Sequence, residues 1–396
     1  MNTATAMRAY RGPALFSIGL RPLFLFSAIW AAISVPVWIH AYLAGGELSL
    51  SWHVHEMLFG YAGGVIVGFL MTAVPNWTGR MPVVGAPLML MVGLWLAGRI
   101  AMTAVALVPG QAGAMWPGAV DSLFLLAMAG LVWREILAGK NWRNAPVAII
   151  VSILAAANVG FHVEAYMSGG LAPVATRVAL AVVVMLICLI GGRITPSFTR
   201  NWQLKREGPL PAVTGSFDAL SMGVTALALA GWVALPQQGL VGAGLTVAGL
   251  LNLARLARWR GWATTAEPLV LILHVGYLWL AVGLILLGGS VMAPEHLAAS
   301  AGLHALTAGA IGVMTLAVMT RAGRGHTGRP LTAGWTGSLI YILINSAAAA
   351  RVLAGLVLEA YQPLLIISAG LWCAAFVTFA VTYAPMLALP RPRSQA

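Results

Sequence analysis

The run Trp52-His53-Val54-His55-Glu56 brings two imidazoles and a carboxylate together within four residues. Imidazole is the commonest metal ligand and also binds haem iron, so metal binding is the first chemistry to consider. At 3.6 residues per turn, His53 and His55 of a regular helix point about 200° apart. They share one ion only if the helix begins after His53; otherwise they serve different sites. Glu56 lies one turn from His53, placed to orient its ring as an acceptor. The alternative is an interfacial histidine pair, with Glu56 complementing the helix dipole.

Other histidines sit in strongly apolar surroundings. His304 lies in Gly302-Leu303-His304-Ala305-Leu306-Thr307, and His274 in Leu273-His274-Val275-Gly276-Tyr277-Leu278-Trp279. An ionisable group deep in apolar sequence is a functional candidate by default. The flanking Gly276, Gly302, Ala305, Ala308, Gly309, Ala310 and Gly312 leave room for close helix packing or for a flat macrocycle. The competing reading is a neutral histidine hydrogen-bonded to a neighbouring helix. His40, His162 and Glu164 are further candidates to complete a copper site. Arg99, Asp121, Arg177 and Arg351 are buried ionisables, with Arg–carboxylate pairing the favoured use of the arginines. His326 sits in the glycine-dense run Arg324-Gly325-His326-Thr327-Gly328-Arg329, readable as an anion-binding nest or as a tight basic turn.

These residues need elements to hold them. The 396-residue chain is 60% hydrophobic and 8% charged, far below the roughly 25% charge of soluble proteins. Apolar runs of about 20 residues recur, each long enough to cross a bilayer as a helix. Twelve spans are expected: 21–43, 53–75, 85–107, 113–137, 145–167, 173–193, 215–235, 239–259, 267–288, 296–320, 333–356 and 363–388. The expected fold is an all-α polytopic membrane protein, a single integral membrane domain over residues 1–396. Cys188 and Cys373 both fall inside spans, which argues against disulfides and thiolate metal sites.

Eighteen of the 22 Lys and Arg residues fall on the termini and even-numbered connections; the odd-numbered ones carry only Glu47, Glu295 and Glu359. The positive-inside rule makes the basic side cytoplasmic, with both termini there. Net charge +12 is thus a topology signal, and a nucleic-acid function is not expected.

Three spans finish alike. Span 2 ends Val74-Pro75-Asn76-Trp77-Thr78-Gly79-Arg80, span 6 ends Thr195-Pro196-Ser197-Phe198-Thr199-Arg200, and span 10 ends Val318-Met319-Thr320-Arg321. Their spacing suggests three units of four helices, as in haem-copper oxidase subunits. Common interfacial residues explain the likeness equally well. A six-plus-six repeat would point to a transporter instead.

The runs WHVHEMLFGYAGGVIVGFLMTAVPNWTGR, GGRITPSFTRNW, HVGYLWLAVGLILLG and LHALTAGAIGVMTLAVMTRAGRGHTGRPL resemble the NnrS family, and the similarity extends from Arg21 to the last span. The resemblance implies a haem- and copper-containing bacterial inner-membrane protein, associated with denitrification and protection from nitric oxide. Its family motifs contain His53, His55, Glu56, His274, His304, Arg321 and His326. The resulting assignment is metal ligation by His53, His55, Glu56, His274 and His304. Cofactor binding falls to His55, His274, His304, Arg321 and His326. Two axial pairings for haem stand open, His55–His304 and His274–His304. A nitric oxide-metabolising oxidoreductase would need electrons from a quinol or a donor protein. A proton-coupled transporter and a non-catalytic haem scaffold or sensor are the rivals.

The topology is testable by cysteine labelling. Gly45→Cys and Gly110→Cys should react with a membrane-impermeant maleimide from outside intact spheroplasts, and Lys140→Cys should not. The reverse pattern would overturn the orientation.

Overall fold

A computed structural model describes residues 10–46, 48–107 and 115–391. Arg8, Glu47, Gly110, Arg393 and the expected start of the fourth span at 113 lie outside the described residues. The rest is helical, in twelve long elements: α1 (Leu20–Leu43), α2 (Leu50–Thr78), α3 (Ala86–Ala106), α4 (Trp116–Ala138), α5 (Ala145–Ser168), α6 (Pro173–Leu204), α7 (Ser216–Ala234), α8 (Gly239–Arg258), α9 (Pro268–Met292), α10 (Ala299–His326), α11 (Gly334–Leu356) and α12 (Tyr361–Ala388). Eleven of them are long and apolar enough to cross a membrane; α4 carries Asp121, Arg134 and Glu135. The chain is a multi-pass membrane protein.

Local chemistry explains many of the boundaries. Ser49 caps α2, its hydroxyl accepting from the Trp52 N–H at 3.1 Å. Prolines occupy the first turns of α3, α4, α5 and α9, where their missing N–H costs nothing. Gly79, at φ 70°, closes α2 in a left-handed cap.

Three ends lie later than the apolar runs suggest. α6 continues to Leu204 rather than 193, α10 to His326 rather than 320, and α9 to Met292 rather than 288. Apolarity marks where a helix leaves hydrocarbon, and these helices continue past that point. The anion-nest reading of His326 fails for this reason: the residue is the last turn of α10. Pro196 lies inside α6, four residues beyond Gly192. A π-helical turn, Ile187–Gly191, widens the backbone just before the carbonyl that the proline ring would otherwise strike.

The three spans that finish alike share a second property. Each contains a π-helical segment: Glu56–Ala62 in α2, Ile187–Gly191 in α6 and Ala305–Ile311 in α10. Globally, however, the described chain divides into two compact units rather than three. Unit 1 holds residues up to Ala179, with Ala322–Pro330 and the chain from Phe376; unit 2 holds Leu180–Arg321 and Leu331–Ala375.

In unit 1, buried Arg21 at the start of α1 donates to the carbonyls of Ala14, Leu387 and Leu389 at 2.9–3.1 Å. Gly64 and Gly68 of α2 let α1 approach closely, facing Ser27 and Phe24. In unit 2, α8, α9 and α10 pack through small residues: Gly249 lies on Ala281 and Ile285, Gly283 on Leu306, and Gly302 on Leu287. Helices in lipid gain no hydrophobic drive to associate, so backbone proximity of this kind supplies the contact.

A matched pair of substitutions tests that packing. Gly302→Val drives a branched side chain into the Leu287 backbone, whereas Gly93→Val in α3 meets open space. Gly302→Val should cost about 1–3 kcal/mol, read as a lower thermal midpoint in detergent, and Gly93→Val should leave it unchanged. Equal midpoints would refute the packing role.

Candidate metal centre

Counting along the helices of unit 1 brings four polar residues to one level, with a fifth one turn deeper. His55 is five residues into α2, Asp121 five into α4, Arg99 seven from the end of α3, and His162 six from the end of α5. At 1.5 Å per residue all lie about 8–11 Å from one end of the unit, with Asn158 one turn deeper.

The side chains meet there. Arg99 Nη1 donates to Glu56 Oε2 at 2.5 Å, and its Nη2 donates to Asp121 Oδ1. Asp121 Oδ2 gathers three partners: Asn158 Nδ2 at 2.9 Å, His55 Nε2 at 3.0 Å and His162 Nε2 at 3.1 Å. His55 Nδ1 lies 3.1 Å from Glu56 Oε1, and its Nε2 3.3 Å from Asn158 Oδ1. His55 and Glu56 are fully buried, and Arg99, Asp121 and Asn158 nearly so. Phe59 and Phe161 flank the His55 ring.

Glycine makes the space. A Cβ at Gly60 would strike the Arg99 guanidinium and Glu56, one at Gly98 would strike Asp121, and one at Gly118 would strike the His162 ring. The π-helical turn begins at Glu56 and brings the adjacent His55 and Glu56 into the same cluster. Trp95 Nε1 satisfies the Gly60 carbonyl within that turn at 2.9 Å.

The arrangement has an unmet electrostatic need. Two carboxylates face a single guanidinium. His55 presents a nitrogen to a carboxylate on each side, yet an ionised carboxylate only accepts and a neutral imidazole has one N–H. One more proton or one cation would balance the group. His55, Asp121 and His162 offer one ligand atom each, all within 4.8 Å of one another. Two imidazoles and a carboxylate are a donor set for copper, zinc or iron, and each ring places Nε2 3.0–3.1 Å from Asp121 Oδ2.

The expected site residues distribute as follows. His55 and Glu56 are in the cluster, where Glu56 contacts His55 and Arg99. His53 turns away and stacks on Trp38, ring centroids 4.2 Å apart. Glu164 caps α6, accepting from the Val174 and Ala175 N–H groups; His40 is exposed, and His296 pairs with Glu295. In unit 2, His274 Nε2 lies 2.8 Å from Thr199 Oγ1 and its ring packs against Trp259 and Gly261. His304 Nδ1 lies 2.7 Å from the Ser300 carbonyl. Gly302 faces Leu287, Gly309 faces Trp279 and Gly276 faces Met314, which aligns His304 with the far half of α9. The structure does not bring His274 and His304 together: about ten residues, some 15 Å of helix, separate their levels. Gly276, Gly302 and Gly309 are used for helix packing, one of the two uses their size allows. His55 and His304 belong to different units. Arg321 lies over the Phe198 ring at 3.8 Å, and the His326 carbonyl accepts from Arg391.

Asp121 and His162 were thus underweighted in the sequence, and Asn158 was missed. The signal was depth from helix ends, which the local motif at 52–56 does not reveal.

A bundle of membrane-spanning helices enclosing a buried His–carboxylate–Arg cluster defines the class: a polytopic membrane protein with a candidate metal centre. The chain belongs to the NnrS family, whose model, described as NnrS protein, matches residues 14–391. Comparison with curated proteins finds no match.

The charge balance can be tested directly. Arg99→Leu leaves two buried carboxylates without a guanidinium and should destabilise by about 3–5 kcal/mol. Adding Asp121→Asn to Arg99→Leu should recover part of the lost thermal midpoint. An Arg99→Leu protein as stable as the parent would remove the pairing argument.

Proposed function

We propose that this is a haem- and copper-containing membrane protein of the nitric oxide response, and that His55, His162 and Asp121 hold the copper. Family membership supports the physiological setting. The observation that carries the metal assignment is the convergence of two imidazoles on one buried carboxylate oxygen, in a group short of one positive charge. Copper there would supply one-electron chemistry and a coordination position for a small diatomic ligand.

The chain's own residues have definable roles. His55 and His162 are the nitrogen donors. Glu56 orients His55 through Nδ1, the outer-shell contact that sets which ring nitrogen faces the metal. Arg99 occupies Asp121 Oδ1 and leaves Oδ2 toward the rings. Complete burial of His55 and Glu56 excludes water. Nitric oxide is small and apolar, so it reaches such a centre through the bilayer without a polar channel.

Haem enters this proposal on the family resemblance. No residue is given to it here and no step is drawn through it; the glycines near His274 and His304 pack against neighbouring helices. We place the protein in the bacterial inner membrane with both termini cytoplasmic, on the distribution of basic residues. The second reading is a proton-coupled transporter, favoured by His55 lying between two carboxylates. That arrangement would serve a proton as well as a metal.

One preparation separates the readings. Detergent-purified protein should contain about one copper per chain, a Soret band, and a spectrum that changes with nitric oxide. His55→Ala and His162→Ala should lose the copper, while His53→Ala and His40→Ala keep it. Metal-free protein with no response to nitric oxide would discard the proposal in favour of transport. Copper retained by both His55→Ala and His162→Ala would move the site elsewhere.

A further inference from the structure

Unit 1 carries a second built feature, at the end opposite the His–Asp cluster. The connection between α2 and α3, with α3 and α4, encloses a groove of about 990 Å³. Its walls are apolar, including Leu90, Leu94 and Leu131, and its rim is charged. Arg80 Nε donates to Glu135 Oε2 at 2.5 Å, and Arg134 Nη2 donates to Glu135 Oε1 at 2.7 Å. One carboxylate therefore meets two guanidiniums. Both arginines remain accessible, at 42% and 58% of their side-chain surface, while Glu135 is 9% exposed. The neighbouring connection adds exposed Lys140 and Arg143, and it packs against the end of α2 through Asn141 and the Trp77 carbonyl.

The groove's framework is fixed. Gly79 and Gly85 bracket the connection with φ of 70° and 67°, a backbone that other residues adopt at a cost. The Gly85 N–H is tied to the Phe16 carbonyl at 3.0 Å.

We infer that this groove binds an anionic phospholipid, its phosphate on the unbalanced Arg80–Arg134 rim and an acyl chain along the α3–α4 walls. The charge selects the occupant. A neutral quinol would leave the excess guanidinium unanswered, and a free phosphate would leave the apolar walls exposed. A membrane amphiphile with a negative head meets both surfaces.

The test uses the whole protein in mild detergent, with native mass spectrometry of bound lipid. Phosphatidylglycerol and phosphatidylcholine of identical acyl chains are added at equal concentration. Phosphatidylglycerol occupancy should exceed phosphatidylcholine by about fivefold, the factor that one additional cationic contact provides at a headgroup. Arg134→Gln keeps the Arg80–Glu135 pair and should bring the ratio to about one. Gly130, on the groove wall, has open space at its Cβ; Gly130→Leu should therefore fill the groove without strain and lower binding of both lipids. A ratio near one in the parent protein, or a preference that survives both substitutions, overturns the inference. Displacement of bound phosphatidylglycerol by an equal concentration of a neutral quinone analogue also overturns it, by giving the groove to that ligand.

Discussion

Neutralising buried charge is the constraint that organises unit 1. A carboxylate inside a membrane domain has no water to screen it, so Glu56 and Asp121 require Arg99, and Arg99 requires both of them. That demand reaches into the surrounding helices. It accounts for glycine at 60 and 98, because bulk at either position would push the ions apart. It also accounts for Asn158, which lends a donor to an oxygen that must otherwise share two imidazoles. The histidines complete what the ions begin.

Unit 2 meets the same constraint with a different ending. Arg255 is buried and donates to Asp218 at 2.7 Å, to Tyr277 at 2.7 Å and to the Cys188 carbonyl. The Tyr277 hydroxyl donates to Asn252 Oδ1 at 2.6 Å, and Asn252 Nδ2 donates to Thr225 Oγ1. One carboxylate meets one guanidinium there, and the hydrogen bonds run on through neutral groups. Both networks bind several helices together, but only the first has a charge left over. A balanced pair is sufficient as a structural tie; the unbalanced one in unit 1 is where a cation or proton has a place.

Much of the helical plan was readable from apolarity alone, because a helix that crosses lipid must advertise its length. Most boundaries agree within three residues, and the exceptions are α6, α9 and α10, whose ends run beyond the apolar stretch. The site was half readable. His55 and Glu56 stood out because they are adjacent in sequence, and the pairing of Arg99 with a carboxylate followed from the cost of burying it. Asp121 and His162 on α4 and α5 were candidates among several, since nothing local shows that they converge on His55. Helical spacing pointed Glu56 toward His53; the structure also places it on the adjacent His55 and on Arg99.

The π turn of α2 has a consequence for the helix as a whole. A single α-helix presents one continuous stripe to its neighbours, so it can serve one set of partners along its length. The π turn at Glu56–Ala62 inserts a phase shift, and α2 thereby carries two stripes in succession. At the start of α2, His55 faces Asp121 of α4 while Trp52 and His53 face Trp30 and Trp38 of α1; beyond the turn, Gly64 and Gly68 face Ser27 and Phe24 of α1. Winding this segment back to regular α-helix would rotate one stripe out of phase with the other, by about 100° for each residue removed. The two halves of α2 are joined like a keyed shaft, and the key is backbone.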